Sequence, residues 1–340
     1  MVRAGIVNVT GYAGADAARL LARHPEVSLV AVTGRSAAGQ PLGAVFPHLA
    51  DLDLIVEPEL PDVDVAFSAL PHHASAEAIP PLLERGQRVI DISADYRLHD
   101  VGSYERWYGA HPSPSLLEET PYGLPELHAA AIAAARLVAN PGCYPTAAIL
   151  ALAPIVDLIE PSVIVDAKSG VSGAGRSLSL TTHYCEINEN CHAYGLSGHR
   201  HLPEMEQELR ALRAARRTDG DGLEITFVPH LLPMTRGILA TCYARLESGW
   251  SQGAALEHYR DYYRAAPFVR VVDAPPQTKQ TLGTNLCLIY PKVEERTGRL
   301  IVVACIDNLV KGAAGQALQN MNLMLDLPET TGLDAPALYP

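Results

Sequence analysis

The stretch "NPGCYPTAA", residues 140–148, sets Cys143 between a glycine and a tyrosine, fenced by Pro141 and Pro145. A strand-like run ends here and a helical one, "TAAILALAPI", follows. A thiol at a helix N-terminus has its thiolate stabilised by the local dipole and by unpaired amides. Gly142 leaves space for a substrate to approach, so Cys143 reads as a nucleophile and not as packing. Downstream, "GHRHLPEMEQEL" offers His199 and His201, with Arg200 between them and Glu204 beyond, at the start of a helix. One imidazole can hold the cysteine as thiolate and later protonate a developing alkoxide, while Glu204 orients it. Alternate residues of an extended segment face opposite sides, so only one histidine should reach the sulfur. The residues leave that choice open, with His201 preferred.

Other polar groups stand where they can serve this chemistry. "KSGVSGAGR" contributes Lys168, Ser169, Ser172, Gly173 and Arg176, a polar loop able to admit a nicotinamide ring and to hydrogen-bond a substrate. "DISADYR" places Ser93, Asp95 and Arg97 after a strand, where carboxyl ends face a binding crevice. Arg97 is then either a phosphate clamp or the ion-pair partner of Asp95. Asn140 is expected as a further substrate contact, and Glu186 as either a substrate contact or a packing residue. In "THYCEINENCH" the spacing of His183, Cys185, Cys191 and His192 matches no usual zinc pattern, so no metal is expected.

These groups need a scaffold, and the chain of 340 residues is long enough for two cores. The first half alternates short apolar runs with helical stretches: "AGIVNVTGYAGADAARLLARHP", "VSLVAVTG", "DVAFSALP", "HASAEAIPPLLERG", "RVIDISA". Such βαβ alternation predicts a doubly wound parallel sheet. In "NVTGYAG" the turn Thr10, Gly11, Tyr12, Ala13, Gly14 can cradle a pyrophosphate at a helix N-terminus. Asn8 occupies the place of the fingerprint's first glycine, and asparagine tolerates positive φ better than other side chains. Leu70 and Pro71, closing a later strand, are grouped with this cofactor site. Where an NAD enzyme carries an acidic residue, Arg35 and Ser36 stand, which suits a 2'-phosphate and favours NADPH. After Cys143 the runs "SVIVDAKSG", "LEITFVPHLL", "GILATCYARL", "NLCLIYPKV" and "GRLIVVACIDN" predict a mixed or antiparallel second sheet. The expected division is 1–142 with 308–340 for the dinucleotide-binding domain and 143–307 for the catalytic one.

Net charge of −12 disfavours nucleic-acid binding, which needs a positive footprint. No apolar run is long enough to cross a bilayer and the start lacks a signal peptide's regions, so a cytoplasmic location is expected. Six scattered cysteines then read as free thiols.

Together "TGYAG", "SADYRL", "NPGCYPTA", "SGVSGAGR", "GHRHLPEMEQEL" and "DNLVKGAAGQA" resemble, in order and nearly end to end, the N-acetyl-gamma-glutamyl-phosphate reductases of arginine biosynthesis. The resemblance implies an NADP-binding Rossmann domain of α/β class. An α+β catalytic and oligomerisation domain follows, similar to those of aspartate-semialdehyde and glyceraldehyde-3-phosphate dehydrogenases. It implies Cys143 as nucleophile, His199, His201 and Glu204 as the catalytic segment, and Asn308 among the cofactor contacts. The substrate would be a small acyl phosphate, reduced through a thioester, in a homodimer or homotetramer. The nearest rival is the lysine-pathway reductase of a carrier-bound aminoadipyl phosphate, though "NPGCYPT" and "EINEN" look more like the arginine enzyme. A cysteine hydrolase would use Cys143 and a histidine but would not need Arg35, Ser36 and the glycine turn. A non-catalytic NADP sensor would keep those and have no use for the thiol.

Overall fold

Strands buried on both faces form where apolar residues run without alternation, and Ala4–Ile6, Val65–Phe67 and Val89–Ile90 are all fully or almost fully buried. The structure, a computed structural model, describes residues 1–217, 222–247 and 249–339. It divides into two units, Met1–Pro141 with Ala313–Ala335, and Gly142–Gly312 with Pro336–Pro340.

The first unit holds six parallel strands: β1 (Val2–Val7), β2 (Val27–Thr33), β3 (Val56–Glu57), β4 (Val65–Ser68), β5 (Arg88–Asp91) and β6 (Leu137–Ala139). Their order is β3-β2-β1-β4-β5-β6. The helices are α1 (Tyr12–Leu21), α2 (Leu42–Val45), α3 (Ala74–Glu84), α4 (Val101–Tyr108) and α5 (Pro125–Ala134). Strand order reverses between β1 and β4, so the loops leaving these two strands flank the crevice where such sheets bind ligands. At the end of β5 and just after it lies a buried acidic pair. Asp91 accepts from the Ser75 hydroxyl at 2.6 Å and from the Ser93 hydroxyl and amide at 2.8 and 3.0 Å. Asp95 accepts from the amides of His73 and Ala76 and from the Tyr104 hydroxyl.

The second unit begins with α6 (Cys143–Leu152) and β7 (Ser162–Gly170). Next come α7 (Tyr184–Ile187), β8 (His192–Ala193), α8 (Leu202–Arg216), β9 (Glu224–Leu232) and β10 (Ile238–Arg245). It closes with α9 (Gln252–Tyr262), β11 (Val269–Val271), β12 (Cys287–Glu294) and β13 (Arg299–Ile306). Seven strands pair in the order β11-β12-β13-β10-β7-β9-β8, a mixed sheet with β10 antiparallel to β7 and β13, and β7 parallel to β9. Strict alternation gives this sheet two unlike faces. Val163, Val165, Ala167, Ile238, Ala240 and Cys242 are buried on the face against which α6 packs. Ile164, Asp166, Lys168, Thr241 and Tyr243 point to the other, which is open. Helix α6 is apolar all round, as a helix wholly inside a core must be, and every residue from Tyr144 to Leu152 is buried.

The chain re-enters the first unit through a π-turn, Val310–Ala314, and α10 (Gly315–Met324), which packs on α1 and α5. The return falls at Ala313, not at 308, because Asp307 and Asn308 are tied inside the second unit. Asp307 accepts the Gly283 amide at 2.8 Å and Asn308 the Gly237 amide at 2.7 Å. Residues 336–339 also lie with the second unit, where the Leu338 amide meets the Leu282 carbonyl.

Candidate active site

Cys143 is the first residue of α6, with Gly142 as an extended N-cap (φ −67°, ψ 151°) whose carbonyl accepts the Thr146 amide and hydroxyl. It is the one residue of this helix that is not buried, and it sits at a helix end whose dipole favours the anionic form of its thiol. Glu204, 1% exposed, reaches from α8 to accept the Gly142 amide at 3.0 Å. One side of the nucleophile is formed by Gly312: a Cβ placed there would stand 2.6 Å from the Cys143 Cβ. Neither the Glu204–Gly142 bond nor the Gly312 approach is readable from spacing. The only signals in the chain were their places in "HLPE" and "VKGAAG".

His199 and His201 were expected on opposite sides of an extended segment. They instead share one aromatic cluster, with ring centroids 4.9 Å apart and each 5.9 Å from Tyr144. The reason is local: His201 is already helical (φ −84°, ψ −13°) as the N-cap of α8, so the strand period does not apply. The two rings are chemically unlike. The His199 Nδ1 accepts the His201 amide at 3.1 Å, which leaves its proton on Nε2. Burial among Tyr144, Tyr194 and Phe227, and then the Arg200 charge, push His199 down to about 4, so it stays neutral near pH 7. The Tyr144 hydroxyl donates to the His230 carbonyl at 3.0 Å and receives the Tyr194 hydroxyl at 3.3 Å. Burial raises both phenols, Tyr194 to about 12, and nearness to Cys143 adds to that rise.

The remaining residues of the second unit separate into groups. Ser172 and Asn308 bond each other at 2.9 Å and are buried, while Gly173 and Arg176 are exposed beside them. Ser169 is buried on the helix-covered face, and its hydroxyl donates to the Gly170 carbonyl. Lys168, its neighbour, projects to the open face, where its ammonium lies 2.6 Å from Asp166 and His230 stands 3.2 Å from the same carboxylate. Lys168 and Ser169 are neighbours in one polar run, but the strand period puts them on opposite faces. Glu186 on α7 and Arg200 before α8 are exposed.

In the first unit the side chains of "DISADYR" and "NPG" act inside the fold. Ser93 is bonded to Asp91 and to the Asp95 amide. Arg97 is 7% exposed and donates to the carbonyls of Asn140 (2.7 Å) and Ile92 (2.9 Å). Asn140 is fully buried and bonded to the Ala313 carbonyl and to Asn320.

The dinucleotide turn fits its cofactor. No side chain caps α1, so the amides of Tyr12, Ala13 and Gly14 at its start are left for an anion, and a Cβ at Gly11 would meet nothing within 4 Å. Gly14 must be glycine because a Cβ would stand 2.6 Å from the Asn8 carbonyl, the close helix–strand packing the turn requires. Arg35 and Ser36 are exposed in a short 3-10 turn after β2, Leu70 is half-buried, and Pro71 is exposed after β4.

Residues 3–135 match the NAD-binding domain of semialdehyde dehydrogenases and residues 143–308 their dimerisation domain. An N-acetyl-gamma-glutamyl-phosphate reductase of Dehalococcoides mccartyi is 56% identical over 342 residues, 99% of each chain. One from Citrifermentans bemidjiense is 48% identical over 352 residues, all of both chains. Among solved structures, aspartate semialdehyde dehydrogenase II of Vibrio cholerae superposes with a TM-score of 0.73 at 18% identity, covering 96% of this chain and 98% of that one. The Candida albicans aspartate semialdehyde dehydrogenase with NADP gives 0.70 at 17%, with the same coverage. The solved structures establish the two-domain fold. Among the described residues no helix is long and apolar enough to cross a membrane.

Proposed function

The chain belongs to the N-acetyl-gamma-glutamyl-phosphate reductase family, and we propose that it reduces N-acetyl-L-glutamyl 5-phosphate to the 5-semialdehyde and phosphate with NADPH. The observation that carries this reading is a partly exposed cysteine at a helix N-terminus, with its N-cap amide held by Glu204 and two imidazoles grouped on the adjoining tyrosine. The Cys143 thiolate adds to the acyl carbonyl, the carbon–oxygen bond to phosphate breaks, and a thioester remains on the sulfur. When bound, NADPH supplies the hydride that reduces this thioester carbonyl. The amides at the start of α6 hold the oxyanion as it forms. His201 protonates the resulting alkoxide and takes the proton back as the carbon–sulfur bond breaks and the aldehyde leaves. We assign the transfer to His201 because burial keeps the His199 ring neutral and its Nδ1 accepts the His201 amide. Tyr12, Ala13 and Gly14 offer main-chain amides to the pyrophosphate, and Arg35 with Ser36 takes the 2'-phosphate. Arg176 and Arg200, exposed cations of the second unit, are assigned to the substrate's anionic groups.

The test is phosphate-dependent reduction of NADP with N-acetylglutamate semialdehyde, run beside Cys143→Ser and an aspartate semialdehyde control. Activity that needs phosphate, prefers the acetylated aldehyde and vanishes in the variant supports the assignment. NADP binding without activity on either aldehyde would move the substrate to the carrier-bound aminoadipyl class.

The protein assembles through its second domain, and a homodimer or homotetramer using the open sheet face is the reading we favour. That face carries a shallow depression of about 370 Å³ lined by Ile164, Asp166, Val228, His230, Tyr243 and Arg299. Ile164 is 40% exposed there, an apolar residue that a partner would cover. Light scattering on Ile164→Asp should show a smaller species than the parent; an unchanged mass would place the interface elsewhere.

A further inference from the structure

Asn8 stands where the dinucleotide fingerprint normally has glycine, and its surroundings give it a task that glycine could not perform. Its backbone is left-handed, φ 66°, so it makes the same turn that the glycine would. Its amide donates to the Thr33 hydroxyl at the end of β2 (3.2 Å), and its side-chain oxygen accepts the Thr10 hydroxyl (3.0 Å). Its side-chain nitrogen donates to the Ala69 carbonyl at 2.9 Å, across 61 residues of sequence. Ala69 begins the loop after β4, and Asn8 begins the loop after β1. These are the two strands at which the sheet order reverses, so one carboxamide joins both walls of the cofactor crevice. Beyond the end of the β1–β4 ladder the main chain makes the same link through the Ala69 amide and the Val7 carbonyl at 3.0 Å.

We infer that Asn8 is a positioning residue: it latches the pyrophosphate turn, Thr10–Gly14, to the loop carrying Leu70 and Pro71 and so preorganises the NADP site. Restoring the ordinary fingerprint with Asn8→Gly then weakens cofactor binding, although the turn itself is at least as easily formed. The inference rests on the cofactor reading above. Its cost follows from one lost cross-loop hydrogen bond together with a freer backbone.

The test compares parent, Asn8→Gly and Asn8→Asp by calorimetric NADP titration, by amide hydrogen exchange without cofactor, and by the NADPH KM. Asn8→Gly should raise the NADP Kd about fivefold, the magnitude of one neutral hydrogen bond. The amides of Thr10–Gly14 and of Leu70 should exchange faster, and the KM for NADPH should rise by more than that for the acyl phosphate. Asn8→Asp keeps the left-handed turn and the bond to Thr10 but sets a carboxylate against the Ala69 carbonyl, so it should bind NADP more weakly still. Equal or tighter binding by Asn8→Gly, with unchanged exchange, would overturn the latch. Absence of NADP binding in the parent would overturn the cofactor reading instead, so the two failures are distinct.

Discussion

The Glu204 carboxylate on α8 accepts the amide of Gly142, the residue that caps the nucleophile's helix, at 3.0 Å. The bond joins the histidine segment to the cysteine segment through main chain, and it is buried, so its loss strands a desolvated donor. Glu204→Ala should therefore lower unfolding stability by about 2 kcal/mol and reduce turnover about tenfold or more by loosening the Cys143 position. Glu204→Gln retains an oxygen acceptor and should recover most of both. Denaturant unfolding with steady-state rates checks this; an alanine variant as stable and active as the parent would remove the link.

Gly312 stands against Cys143 with no room for a methyl group, since the added Cβ would lie 2.6 Å from the Cys143 Cβ and 3.2 Å from its Cα. Main-chain and Cβ atoms at a helix start cannot swing aside as the tip of a long side chain can. Gly312→Ala should lower turnover at least about tenfold through displacement of the sulfur and should change the rate of iodoacetamide labelling of Cys143. Normal labelling together with normal turnover would show that the π-turn yields without cost.

Because His199 is neutral down to about pH 4, the acid limb of the pH–rate profile does not belong to it. His201→Asn should reduce turnover by about 10²-fold or more. His199→Asn should have a smaller effect and leave the acid limb where it is. Movement of that limb in the His199 variant alone would reverse the two roles.

Asp91 is fully buried, and desolvation pushes its carboxyl up from 3.8 to about 6 in spite of bonds from Ser75 and Ser93. Between those values the folded chain holds a proton that the unfolded chain releases, so this group's contribution is present at low pH and is lost as pH rises through the window. The loss amounts to about 3 kcal/mol above pH 6. Asp91→Asn removes this dependence, so the stability of the variant relative to the parent should increase from pH 4 to pH 6. Denaturant midpoints across that range measure the difference, and parallel curves would contradict it.

The linear chain by itself determined the parallel sheet, the mixed second sheet, the glycine turn and Cys143 as the nucleophile candidate. Each rests on local patterning: strand period, turn residues and a helix start are set by neighbours in sequence. Arg97, Asn140 and Ser93 were legible as polar residues near a strand end, but not as internal braces, because their partners come from separate segments. Lys168 and Ser169 look alike in a polar run, and only strand pairing sends them to opposite faces. The histidines could not be told apart either. Their difference arises from burial, an aromatic surround and a bond to backbone, which exist only after α8 meets β9 and α6. In the same way Asn8 reads as a flaw in a motif until β4 arrives beside β1 and supplies the carbonyl that its carboxamide holds. Tertiary structure decided these roles because hydrogen bonding and desolvation depend on distance in space, which spacing along the chain does not encode.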